Sequence, residues 1–220
     1  MTDSTAKKYP DRATRRRRSD GERSRTAILR EAAQLATVEG IGGLSIGRLA
    51  DAVGMSKSGL FAHFGSKQEL QLATMETASE IFVEHVLEPA LRAPTAIERL
   101  RALAANYLRY IEAALFPGGC FFASVASEMD THPGPVRDVA IGFMERWLAL
   151  LATTVREAQA EGAIDPGREP EQLAFEIEAC LLLSNALFVI RPDLAPTDRA
   201  RHALERLFAA AALPEADSGR

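Results

Sequence analysis

The chain is predicted to be all-α: an N-terminal three-helix head with a helix-turn-helix, followed by a C-terminal helical bundle, about nine helices altogether. Three observations predict this. Ala, Leu, Glu and Arg dominate the 220 residues, and strand-like runs of alternating β-branched residues are missing. Apolar residues recur at helical spacing between Ser/Thr caps and Gly/Pro stops. The charge is also divided unevenly. Residues 1–67 carry 13 Lys/Arg against 7 Asp/Glu, a net of +6, whereas residues 68–220 carry 13 against 23, a net of −10. The overall charge of −4 therefore conceals a basic head on an acidic body, the division expected of a nucleic-acid reader joined to something else.

In chain order, residues 1–19 are polar and basic, with Lys7, Lys8, Arg12 and the run Arg15, Arg16, Arg17, Arg18. They cannot build a core and are expected to be a disordered arm that follows phosphates or enters a minor groove; a solvated tail is the plainer alternative. Ser19 with Glu22 is a candidate capping box for a helix from about Gly21 to Glu39, whose inner stripe is Ile28, Ala32, Leu35 and Ala36. Gly40 ends it, and Ile41 and Leu44 are apolar plugs in the link that follows.

The segment from Ser45 to Lys67 is the most specific part of the chain. Ser45 caps a helix whose face is Ile46, Leu49, Ala50 and Val53. Gly54 can take the left-handed backbone that reverses the chain. Ser56 caps the next helix, with Leu60 and Phe64 inside, and Ser66 with Glu69 is a capping box for the third. A small Ala50, a turn Gly54 and a large Leu60 stand at the offsets a helix-turn-helix needs. Ser56, Lys57, Ser58, Gly59, Phe61, Ala62 and His63 are then left outward. Small hydrogen-bonding groups and a cation at a helix N-terminus suit phosphate contact.

These residues resemble the DNA-binding domain of the tetracycline-repressor (TetR) family of bacterial transcription regulators. The resemblance covers residues about 24 to 70, through Ile28, Ala32, Ala33, Leu35, Gly40, Leu44, Ser45, Ile46, Leu49, Ala50, Val53, Gly54, Ser56, Lys57, Leu60, His63, Phe64, Lys67, Glu69 and Leu70. It implies phosphate contacts from Ser45, Ser56, His63 and Lys67, and base-edge contacts from Lys57, Ser58 and Gly59. Phe61 departs from the family's usual tyrosine, so it can pack on the DNA backbone but cannot donate a hydrogen bond there.

From Lys67 a helix is expected to run to about Leu87 and stop before Pro89, with Leu70, Met75, Ala78 and Phe82 on one side. Thr95 and Glu98 open another, carrying Leu100, Leu103, Tyr107, Leu108 and Ile111. A short helix follows within Gly118–Asp130. Pro133 and Pro135 precede a long one to about Gln159, and two more run from Pro170 to Ile190 and from Thr197 to about Ala212. The domain division is an arm at 1–19, a helix-turn-helix domain at 20–66 and an effector-binding and dimerisation body at 67–220.

The body is larger than folding of the head requires. Leu181, Ala186, Phe188, Leu204, Leu207 and Phe208, on the last two helices, are candidates for a homodimer interface, with intramolecular core as the alternative. The resemblance implies a small, largely apolar effector among the middle helices. Tyr107, Tyr110, Phe121, Phe122, Glu128, Met129, Phe143, Met144, Trp147 and Phe175 are the candidate lining, though packed core is the plain reading of each. Glu128, Asp130 and His132 are too sparse a set for a metal site. No cofactor is expected, and no GxSxG, HExxH, CxxC or phosphate-cradling glycine loop suggests an enzyme. Cys120 and Cys180 lie among apolar residues and read as small hydrophobes. No signal-peptide segment follows the basic N-terminus and no uninterrupted apolar run approaches ~20 residues, so a soluble cytoplasmic protein without a membrane partner is expected. The implied function is a dimeric, effector-released repressor on a palindromic DNA operator. The alternative is a helical protein-interaction module that has lost DNA binding.

Overall fold

A computed structural model of the chain describes residues 12–213, with side chains from residue 23 onward. The described residues are all-α. The head is α1 (Arg12–Glu39), α2 (Ile46–Val53) and α3 (Lys57–Phe64). The body contains α4 (Lys67–Phe82), a π-helical turn (Val83–Leu87), the stub α5 (Glu88–Ala90), α6 (Ala96–Glu112), α7 (Phe121–Met129), α8 (Pro135–Ala160), α9 (Pro170–Ile190) and α10 (Ala195–Ala211).

The sequence placed the start of the first helix too late. α1 begins at Arg12, so residues 12–19 of the expected disordered arm at 1–19 are helical and Ser19 does not open the helix; residues 1–11 of that arm lie outside the described residues. Arginine and glutamate are strong helix formers, no proline interrupts 12–22, and Gly21 costs only about 1 kcal/mol inside a helix. Ile28, Leu29, Ala32, Ala33 and Ala36 form the buried stripe. That stripe packs α1 against α2 and, more extensively, against α4.

α4 leaves the head and enters the body. It was expected to stop before Pro89, yet the rod continues to Ala90 through the π-helical turn. Proline lacks an N–H, and its ring crowds the carbonyl four residues back. The wider turn, in which the Glu88 N–H reaches the Val83 carbonyl five residues back, carries the chain past it. Buried Asn106 of α6 donates its side-chain amide to the Val86 carbonyl at 2.9 Å, which ties the irregular turn to its neighbour. Thr95 and Glu98 make both halves of the capping box that opens α6. α6, α8 and α9 pack together, and α10 lies on α9.

α9 is 21 residues long and contains a stretch of mean hydropathy 1.9, enough by length and composition alone to cross a membrane, although Glu176, Glu178 and Asn185 interrupt its apolar run. It is apolar on two sides. Leu173, Ala174, Ile177 and Leu181 face the protomer core, whereas Phe175, Leu182, Leu183, Val189 and Ile190 face outward. A helix with apolar residues on both sides is expected where each side has something to bury against.

Candidate functional site

The helix-turn-helix is built by local chemistry. The Ser45 hydroxyl accepts from the Arg48 N–H at 3.3 Å and the Ser56 hydroxyl from the Gly59 N–H at 3.1 Å, so both helices are capped. Gly54 sits at φ 67° and closes α2 onto the Ala50 carbonyl. Leu49, Ala50 and Leu60 are fully buried at the crossing of α2 and α3. This aims the first turn of α3 away from the protein. Ser56, Lys57, Ser58, Phe61 and Ala62 are exposed, and Gly59 and His63 are half-buried. Each capping serine accepts through a lone pair, and the Ser56 and Ser58 hydroxyls lie 3.3 Å apart, where either can donate to the other. Phe61 is 54% exposed, a large apolar ring beside an otherwise polar turn. Of the Ser66–Glu69 box, the half in which Ser66 accepts from the Glu69 N–H forms, at 3.1 Å.

Two cations, Arg48 of the head and Lys67 at the start of α4, have internal partners. The Arg48 fork holds Glu39 of α1, which keeps the Glu39 carboxyl below its usual range. Lys67 donates to the Gly42 carbonyl at 2.5 Å, so the first residue of α4 ties down the α1–α2 link. Arg25 lies 5.2 Å above the ring of Phe64, a cation–π contact between α1 and α3 that the sequence reading missed. Arg15, Arg16, Arg17 and Arg18 belong to the first turns of α1, and their side chains lie outside the described set.

In the body, one connected aromatic cluster holds most of the candidate effector lining. Phe82 of α4 meets Tyr107, Tyr110, Phe143 and Trp147 edge-on, with ring centroids 5.0–6.3 Å apart. Phe122 stacks on Phe143 at 3.5 Å, and Phe121 sits against Phe122 at 5.3 Å. Met129 and Met144 are partly buried at the margin of the core. Within this apolar shell are polar groups. The hydroxyls of Tyr107 and Tyr110 are buried and make no hydrogen bond of ordinary geometry among the described residues, although the Cys120 thiol lies beside the first and the Phe121 backbone beside the second. Burial pushes both phenols well above their ordinary pKa, so they remain neutral donors. Glu178 of α9, 7% exposed, accepts from the Trp147 indole N–H at 2.7 Å. Burial raises its pKa to about 7 despite that bond. The Cys120 thiol, beside Tyr107, is pushed up to about 11 by burial. Beside the cluster, a cleft of about 700 Å³ between α4 and α8 is walled by Leu72, Met75, Val83, Phe122, Val139 and Phe143.

The structure separates several residues that the sequence grouped. Phe175 is 63% exposed on the outer side of α9 and lines nothing internal. Glu128 is not in the aromatic cluster; its carboxylate accepts from the Ile41 and Gly42 N–H groups of the head, each at 2.7 Å. Leu181, Leu204 and Phe208 are buried inside the protomer, where they cannot form a face for a second copy. Ala186 is exposed, and Phe188 and Leu207 are half-buried. Spacing shows that α9 and α10 have apolar faces but cannot say which side points inward. Glu178 was missed altogether, although it falls in register with the inner residues Ala174 and Leu181 of an otherwise apolar stripe.

Comparison with known proteins agrees with this geometry. Residues 28–74 match the family described as bacterial regulatory proteins, tetR family, and residues 96–204 match the tetracyclin repressor-like C-terminal domain. The transcriptional regulator AcuR of Cereibacter sphaeroides is 26% identical over 191 residues, covering 84% of this chain and 85% of that protein. A TetR transcriptional regulator from Chloroflexus aurantiacus superposes with a TM-score of 0.78 at 26% identity, over 87% of this chain and 95% of the other. AibR, solved with isovaleryl coenzyme A and operator DNA, superposes with a TM-score of 0.68 at 26% identity, over 83% and 96%.

Proposed function

Because the chain belongs to the tetracycline-repressor family of transcriptional regulators, with a DNA-binding N-terminal domain and a ligand-binding C-terminal domain, we propose that it is a cytoplasmic dimeric repressor. It binds a palindromic operator through α3 and is released by a small effector held in the body. The observation that carries this reading is the capped first turn of α3, which leaves Ser56, Lys57 and Ser58 exposed at a helix N-terminus. There, free N–H groups, the helix dipole, two hydroxyls and an ammonium converge on one approach. Ser45 and His63 flank it, and Lys67 lies at the start of the next helix. Replacing Lys57 with Ala should weaken binding about tenfold to a duplex selected from a random library by the intact chain. Unchanged affinity at moderate salt would refute the assignment.

The dimer reading rests on the outward side of α9. Leu182, Leu183, Leu187, Val189 and Ile190 are each 39–79% exposed. They form a continuous apolar surface of the kind that marks an interface. Ala186 lies along it, whereas half-buried Phe188 falls in register with buried Leu181 and Ser184; Ala203 and Leu207 of α10 lie next to it. Sedimentation at micromolar concentration should return twice the 23.9 kDa chain mass; a monomer would overturn it.

The effector reading rests on the aromatic cluster and its two unpartnered hydroxyls. A largely apolar molecule presenting a hydrogen-bond acceptor to Tyr107 and Tyr110 would satisfy groups that the fold leaves unsatisfied. AibR offers a precedent for a regulator of this shape that binds both an organic ligand and DNA. Effector binding that favours a DNA-incompetent state releases the operator by population shift.

A further inference from the structure

Besides the packing of α1 on α4 and α7, the head is held to the body at one short peptide, Ile41–Gly42, in the link between α1 and α2. All four of its backbone polar groups are taken by body side chains. Glu128 of α7 accepts both N–H groups, each at 2.7 Å. Gln71 of α4 donates to the Ile41 carbonyl at 2.6 Å, and Lys67 to the Gly42 carbonyl at 2.5 Å. Two body helices therefore hold the same peptide from different sides. α4 was the expected lever, since it leads out of the head. α7 was not.

α7 is well placed to move what it holds. At its N-terminal end, the Cys120 N–H donates to buried Asn185 of α9 at 2.8 Å. The preceding loop presses on α1: the Gly118 N–H donates to the Thr37 hydroxyl at 3.1 Å, and a Cβ at Gly118 would lie 2.0 Å from the Thr37 carbonyl oxygen. In its first turn, Phe121 and Phe122 enter the aromatic cluster. In its last turn, Glu128 reaches the head. These contacts sit on a single nine-residue helix, about 13 Å long, which is short enough to shift as one body.

We propose that Glu128 is a positioning residue for operator binding. Its two bonds fix the angle of the head on the body. Charge-assisted bonds to two adjacent N–H groups set direction as well as distance, which a single bond cannot do. The inference rests on the dimeric reading, because in a dimer the angle of each head sets the spacing between the two.

The test uses the intact chain and a duplex selected by it from a random library, with variants of that duplex carrying one base pair more or fewer between half-sites. The wild type should lose about tenfold in affinity on either change, and Glu128→Gln less than about threefold, with its thermal midpoint within a few degrees of the wild type. A carboxamide keeps one acceptor but turns its NH₂ on the other N–H. Gly42→Ala breaks the same contact from the head side, because its Cβ would sit 2.7 Å from a Glu128 oxygen and push the flexible carboxylate away. It should relax spacing equally, and the double variant should be no worse than either single one. If Glu128→Gln does not fold, Gly42→Ala alone decides. Retention of the full wild-type spacing penalty in a folded variant overturns the proposal. A wild type that binds as a single copy, with no spacing penalty, instead overturns the dimeric reading and the inference with it.

Discussion

The head–body junction and the aromatic core treat their polar groups in opposite ways. At Ile41–Gly42 every backbone donor and acceptor has a side-chain partner. In the core, two tyrosine hydroxyls have none, and a carboxyl is buried deeply enough for its pKa to reach about 7. A satisfied junction holds one geometry, because every departure breaks a bond. An unsatisfied core is held at a cost of about 1–3 kcal/mol per group, which a suitable ligand can relieve. The contrast separates transmission from reception: the junction is built to stay as it is, and the core is built to be changed.

Four perturbations test this contrast, from the largest expected effect to the smallest. Gly118→Ala should be the most damaging. Its Cβ would meet backbone of α1, which cannot yield as a side-chain tip can, and a loss of about 3 kcal/mol is expected by urea denaturation. A change below about 1 kcal/mol would mean that the head is loosely docked.

Glu178 makes the core pH-sensitive. Its carboxyl is raised by burial from 4.5 to about 7, so the folded chain keeps a proton that the unfolded chain has released. The stabilising protonated form is fully present below about pH 4.5, and its contribution is lost as pH rises through about 7. The loss is on the order of 3 kcal/mol and levels off above that pH. Glu178→Gln should remove this component of the slope between pH 4.5 and 7, and identical pH profiles for both chains would exclude it.

Tyr107→Phe and Tyr110→Phe remove hydroxyls without removing rings. Each should leave stability unchanged or raise it by about 1 kcal/mol, because a buried unsatisfied group disappears. Thermal denaturation that shows clear destabilisation would reveal a partner, and would weaken the reading of the core as a receiver.

The smallest effect is expected at Arg48. Its pairing with Glu39 lies on the surface, so Arg48→Ala should leave the thermal midpoint unaltered within error, and raised salt should not change that result. A clear drop would place Arg48 among the residues that hold the head together.

Most of the head was legible in the sequence because its signals are local. Ser45, Ser56 and Ser66, like Thr95 in the body, each reach an N–H three residues on, so a short window contains both partners. Gly54 declares its turn through the backbone that it alone tolerates easily. The π-helical turn around Pro89 was not legible. A proline stop is a reasonable local inference, and only the tertiary bond from Asn106 shows that the rod continues. Glu128 was placed among the effector-lining candidates, whereas its partners are in the head, 86 and 87 residues away and beyond the reach of local spacing. Phe175 and Leu181 exchanged places for a similar reason: each was identified as apolar, and neither carries a local mark of the side it faces.

The sequence by itself determined the elements, their caps, the outward chemistry of α3, the charge division and the family resemblance. All of these depend on residue type and short-range spacing. Only the tertiary structure decided which apolar stripe of α9 lies inside, which polar groups the core strands, and that Glu128 holds the head rather than the effector. Those outcomes depend on how helices rotate and close against one another. That rotation is set by the packing of the whole interior, to which each residue contributes only a part.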